Sequence, residues 1–107
     1  MSHAINITFY IRNSGRADNE PVPIYLRISV NSKRIEQSTN RYVERSKWFA
    51  KSGQMIGNSV EAKILNNYLN TLRNKVYTFE REMITDGEEI NFQSFKDKWL
   101  GLDKKKK

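Results

Sequence analysis

The 107-residue sequence predicts an α+β fold: a three-stranded antiparallel sheet packed on a long C-terminal helix, followed by a short helix. Three observations lead there. Apolar residues alternate with polar ones in the strand segments of the first forty positions, the period of strands with one buried face. From Leu65 onward they recur at spacings of four and three, the period of a helix with one apolar stripe. The strands all precede the helices, an order that favours segregated layers over a βαβ alternation.

In the first strand, about residues 4–12, Ile5, Ile7, Phe9 and Ile11 alternate with Asn6, Thr8, Tyr10 and Arg12. Asn13 to Pro23, rich in Asn, Ser, Gly, Asp and Pro, reads as a long polar connection. The second strand, about 23–31, turns Ile24, Leu26, Ile28 and Val30 inward. Asn31-Ser32 then stands where a two-residue hairpin turn is expected, before a third strand over about 33–41. Counting outward from that turn sets Ile28 against Ile35, Arg27 against Glu36, Tyr25 against Ser38 and Ile24 against Thr39. Apolar residues thus meet on one face and opposite charges on the other.

Beyond the strands, Trp48 and Phe49 are expected to cap one end of the core, with turns at Gly53 and Gly57. Asn58 with Glu61 makes a capping-box candidate for a helix over about 58–86, whose seam is Leu65, Leu69, Leu72, Val76, Phe79 and Met83 and whose stop is Gly87. Such a helix would be about 42 Å long against about 27 Å for an eight-residue strand, so its far end should overhang the sheet. Phe92, Phe95 and Trp99, after an Asn91 cap, suit a last helix over about 91–100 that packs back on the overhang. The same seam could also serve a second copy of the chain and support a weak homodimer.

Composition narrows the function. Hydrophobic residues at 37% and charged residues at 29% suit one globular domain, and no apolar run approaches the roughly 20 residues of a membrane span. The N-terminus lacks the apolar core of a secretory signal. Without cysteine there is neither a disulfide framework nor a thiolate nucleophile or metal ligand. Asp18, Glu20, Glu36 and Glu44 fall on separate loops, strand and turn, His3 stands alone near the terminus, and Tyr68 and Tyr77 sit within the helical pattern. No constellation for catalysis, metal or cofactor emerges. The net charge of +7 is unevenly spread: residues 1–57 carry nine Lys/Arg against four Asp/Glu, and residues 58–103 carry six against eight. A polyanionic partner for the strand half follows.

The polar face of the sheet collects Thr8, Tyr10, Arg12, Tyr25, Arg27, Ser29, Arg34, Glu36, Ser38 and Asn40. Arginine can donate two parallel bonds to guanine, asparagine can do the same for adenine, and hydroxyls reach phosphate oxygens. Arg16, Arg41, Arg45, Lys47 and Lys51 are placed to grip phosphates beside a groove. Glu36 has two readings, an acceptor for cytosine N4 or a holder of Arg27, and the face as a whole could also be ordinary solvated surface. A double-stranded RNA-binding module and a protein-interaction module using the sheet edge or helix seam are the alternatives.

The stretches "ITFYIR", "PIYLRISVNSKR", "STNRYV", the Trp48 turn and "LNNYLNTLRNKVYTFEREM" resemble the N-terminal arm-type DNA-binding domain of tyrosine recombinases, the integrases of conjugative transposons and prophages. The resemblance runs from about Ile5 to Leu100. It implies a three-stranded sheet entering the major groove of arm-type sites, with Tyr10, Arg12, Tyr25, Arg27, Arg34, Glu36, Ser38 and Asn40 facing DNA. It also implies that residues 1–103 are the arm domain and Lys104–Lys107 a basic tail or the start of a linker to core-binding and catalytic domains. Those domains would be partners, the chain itself would not be an enzyme, and its place would be the bacterial cytoplasm, on the nucleoid.

Overall fold

In a computed structural model the described residues are 4–12 and 20–101. Strands β1 (Ile5–Ile11), β2 (Pro21–Val30) and β3 (Lys33–Glu44) form an antiparallel sheet in the order β1-β2-β3. A 3-10 turn at Arg45–Lys47 leads into a small hairpin, β4 (Trp48–Phe49) and β5 (Gln54–Met55). The long helix α1 (Val60–Thr85) and the short helix α2 (Phe92–Leu100) complete the chain. Residues 13–19, including Arg16, lie outside the described residues, as do His3 and Lys104–Lys107.

The alternation works as anticipated because it puts every strand's apolar residues on one side. Ile24, Leu26, Ile28 and Val30 of β2 are fully buried, and Phe9, Ile35 and Val43 join them from the flanking strands. At the hairpin turn Asn31 takes a φ of 59°, a conformation asparagine tolerates better than most residues. Its Oδ1 accepts from the Ala4 amide at 3.1 Å and its own N–H donates to the Ala4 carbonyl at 2.8 Å, fastening the start of β1 to the turn.

The register corrects one expected pair. Ile28 faces Ile35, Arg27 faces Glu36 and Tyr25 faces Ser38, but Ile24 faces Arg41 and not Thr39. Two extra residues of β3 bulge out at this step, with Asn40 at a φ of 62°. The buried Thr39 hydroxyl repairs the interrupted ladder by donating to the Ile24 carbonyl at 2.8 Å and accepting from the Arg41 amide at 3.2 Å. An insertion of two preserves the in-out alternation, so β3 continues past position 41 and buries Val43 against Val22.

Helix α1 lays Ala62, Leu65, Leu69, Val76 and Met83 on the core. Its N-cap is Ser59, whose side chain accepts from the Ala62 amide, not Asn58. The stop at Gly87 holds: with φ at 73°, Gly87 donates to the Ile84 carbonyl and Glu88 to the Met83 carbonyl, which satisfies the last turn. Helix α2 starts at a reciprocal Asn91–Ser94 capping box. Phe95 and Trp99 pack their rings against Phe79, Lys98 pairs with Glu82 at 3.0 Å, and Trp99 Nε1 donates to Gln37 Oε1 of β3 at 2.8 Å. Beyond covering the end of α1, α2 is therefore a wedge shared with the sheet. Val76 and Met83 are buried within this one chain, so the seam expected to serve a second copy is occupied intramolecularly.

At the other end Trp48 caps the core as expected, whereas Phe49 is half exposed. Asn66 of α1 ties the small hairpin down: its amide accepts from Met55 N–H at 2.9 Å and donates to the Met55 carbonyl at 3.1 Å. Gly53, at a φ of 65°, passes so close to β1 that a Cβ there would sit 3.2 Å from the Phe9 carbonyl oxygen.

Candidate nucleic-acid interface

Turning one face of the sheet to the core leaves the other carrying Thr8, Tyr10 and Arg12 from the β1 side, Tyr25, Arg27 and Ser29 from β2, and Arg34, Glu36 and Ser38 from β3. Antiparallel registry stacks them across strands: Tyr10 stands beside Tyr25, Thr8 beside Arg27, Arg27 beside Glu36, and Ser29 between Asn6 and Arg34. The two tyrosine rings lie 6.0 Å apart.

On this bed the arginines are ordered by one carboxylate. Arg12 reaches diagonally across the sheet, passes 4.0 Å above the Tyr25 ring, and donates through Nη2 to Tyr10 Oη at 3.3 Å and to Glu36 Oε1 at 3.2 Å. Arg27 lies 4.5 Å above the Tyr10 ring and donates through Nε to Glu36 Oε2 at 3.0 Å. Arg34 approaches the same oxygen at 3.9 Å. Three guanidiniums against one carboxylate leave the cluster positive. Its members are partly exposed, with side-chain accessibilities from 31% to 57%, so water screens the pairs and they add little to stability. The hydrogen bond to Tyr10, aided by the Glu36 carboxylate, raises the Arg12 guanidinium pKa further above its already high value.

Other residues anticipated for the site are dispersed. Ser38 is half-buried and accepts from the Asn40 amide at 3.0 Å, bracing the bulge. Asn40 is exposed at its apex. Arg41 keeps the inward phase of Thr39 and Val43, on the opposite side of the sheet from the arginine cluster, and its guanidinium lies 4.0 Å above the Tyr68 ring of α1. Tyr68 packs as a core-flanking residue and directs its hydroxyl to the Thr39 carbonyl at 3.4 Å. Lys47 and Lys51 are exposed at the 3-10 turn and the small hairpin, away from the arginine cluster in sequence, and Arg45 at the start of that turn is half-buried.

Sequence reasoning missed Tyr42. It faces Pro23 across the strands and is 55% exposed, which extends the outer face beyond the bulge. The signal was Val43, whose burial requires Tyr42 to point outward once the strand is allowed to continue. The tyrosines were also anticipated only as direct contacts, whereas Tyr10 and Tyr25 additionally form the surface on which the guanidiniums rest.

Among the described residues no group of acidic and histidine side chains could hold a metal ion, and no helix is long and apolar enough to cross a membrane. No curated protein and no solved structure matches the chain. A family model does, that of the Arm DNA-binding domain, over residues 9–96. This span runs from the middle of β1 into α2 and takes in nearly all of the outer face, the small hairpin and α1. A sheet whose exposed side is built of arginine, tyrosine and one organising carboxylate thus coincides with a matched family of non-catalytic, DNA-binding domains, and the chain belongs to the Arm DNA-binding domain family.

Proposed function

We propose that the chain recognises specific sequences in double-stranded DNA by laying the outer face of β1–β3 in the major groove, as the arm-site-binding part of a site-specific tyrosine recombinase acting in DNA integration. The observation that carries this reading is the arginine–tyrosine–glutamate cluster, which places three guanidiniums on one face of a narrow sheet. Two inter-strand gaps make that sheet about 10 Å across, and the major groove is about 12 Å wide. Arginine supplies both guanine recognition and phosphate charge, and the hydroxyls of Thr8, Ser29 and Ser38 suit phosphate or base edges. Lys47 and Lys51, both exposed, would meet the backbone beside the groove, and Arg41 would join them only if its side chain leaves Tyr68. The other domains of such a recombinase would set the reaction; this domain would set where the enzyme sits.

Titration of the chain with its preferred duplex and with a scrambled duplex at several salt concentrations tests the reading. Six phosphate contacts predict a log–log salt slope of about −5 on either duplex. Arg27→Ala should cost about 1–3 kcal/mol on the preferred duplex and much less on the scrambled one, while Lys47→Ala should weaken both alike. Equal losses for Arg27→Ala on the two duplexes exclude base reading by this face. Chemical-shift changes that bypass Tyr25, Arg27 and Arg34 place the DNA elsewhere on the molecule.

A further inference from the structure

A carboxylate in the middle of a DNA-facing surface is costly unless it does something for recognition, because it repels phosphate. We infer that Glu36 is a specificity-determining positioning residue: it holds Arg27 by Nε, so that the terminal fork of Arg27 is the base-reading element, and it assigns Arg12 to a bracing role. This rests on the groove-reading function proposed above and adds which arginine reads and what aims it.

The bonding pattern separates the three arginines. Arg27 meets Glu36 through Nε, which leaves the Nη1–Nη2 edge outside that contact, and end-on approach by that edge is one way a guanidinium pairs with guanine O6 and N7. Its plane is seated on the Tyr10 ring, so the fork is presented from a restrained side chain and less rotamer entropy is lost on binding. Arg12 spends Nη2 on both Tyr10 and Glu36 and lies on Tyr25, so its terminal edge is already engaged. Arg34, 3.9 Å from Glu36 and the most exposed of the three, is loosely held and better suited to phosphate. Both Glu36 oxygens face arginines, one accepting from Arg12 and the other from Arg27. That arrangement makes it a holder of cations before it is an acceptor for cytosine. The same carboxylate subtracts charge from the face, and so weakens binding to any duplex while sharpening the choice among them.

The experiment uses the chain as it stands, a pool of randomised duplexes from which wild type selects its preferred sequence, and a scrambled control. Glu36→Gln should leave the melting temperature and the selected consensus unchanged. It should bind the scrambled duplex more tightly, steepen the salt slope by about one unit, and lower the preferred-to-scrambled affinity ratio on the order of tenfold. Arg27→Lys, which removes the fork and keeps the charge, should lower that ratio similarly; Arg12→Lys, which keeps a cation beside Glu36, should retain most of it. An unchanged ratio in Glu36→Gln overturns the inference. So does a consensus altered at one cytosine only, the mark of direct reading by Glu36, or an Arg12→Lys loss equal to that of Arg27→Lys. A pool from which wild type selects no consensus overturns the groove reading itself, and this inference with it.

Discussion

Leu26 and Arg27 are adjacent in sequence and sit on opposite faces of the same strand, one 1% exposed in the core and the other half-buried over Tyr10 among partly exposed charges. The inner face is held by close packing, where every methylene removed leaves a void. The outer face is held by hydrogen bonds and cation–π contacts in reach of water, which order side chains while adding little to stability. Folding and recognition therefore load different sides of one pleated sheet, and the period of two keeps the loads apart. Mutations can test that separation.

The largest effects should come from the inner side. Phe95→Ala removes a fully buried ring wedged between Phe79 and Trp99 and should cost about 3–5 kcal/mol in chemical denaturation. Leu26→Ala should cost about 2–5 kcal/mol. If the separation is real, Leu26→Ala protein that remains folded at low temperature binds its preferred duplex almost as wild type does.

A middle tier belongs to polar groups that close the inner face. Asn66→Ala strips the side-chain partners from both the Met55 N–H and the Met55 carbonyl and should cost about 1–3 kcal/mol, with faster hydrogen exchange at the Met55 amide. Thr39→Val keeps the volume and removes the hydroxyl that bridges Ile24 and Arg41. It should cost about 1–3 kcal/mol by leaving buried backbone groups short of a partner. Since the bulge it supports carries Asn40 and sets Arg41 opposite Ile24, this substitution is also the one in the inner set most able to disturb DNA binding.

The same division explains what was legible beforehand. The apolar alternation and the Leu65–Met83 seam are physical requirements of burial, so they appear in the residues themselves and locate the sheet and α1. The bulge left no mark, because inserting two residues keeps Thr39, Arg41 and Val43 in phase with an unbroken strand. The β4–β5 hairpin has two-residue strands, too short to show a period, and depends on Asn66 eleven positions away. The rival caps Asn58 and Ser59 are both good N-cap types, and the acidic residue three after Asn58 pointed to the wrong one. On the outer face, the Arg27–Glu36 pair follows from hairpin register. The diagonal reach of Arg12 over Tyr25 depends on sheet twist and side-chain length, which no alternation pattern encodes.

The smallest expected effect is the sharpest check on the comparison. Arg27→Ala removes a guanidinium that touches one ring and one carboxylate, both partly open to solvent. Unfolding free energy should change by less than about 1 kcal/mol, because an exposed pair gains little Coulomb energy in water and Glu36 retains Arg12 as a partner. The Leu26→Ala experiment one position away should move stability several times as far. Equal destabilisation by the two would mean that the arginine cluster is part of what folds the sheet, and its value as a recognition surface would then have to be separated from stability variant by variant.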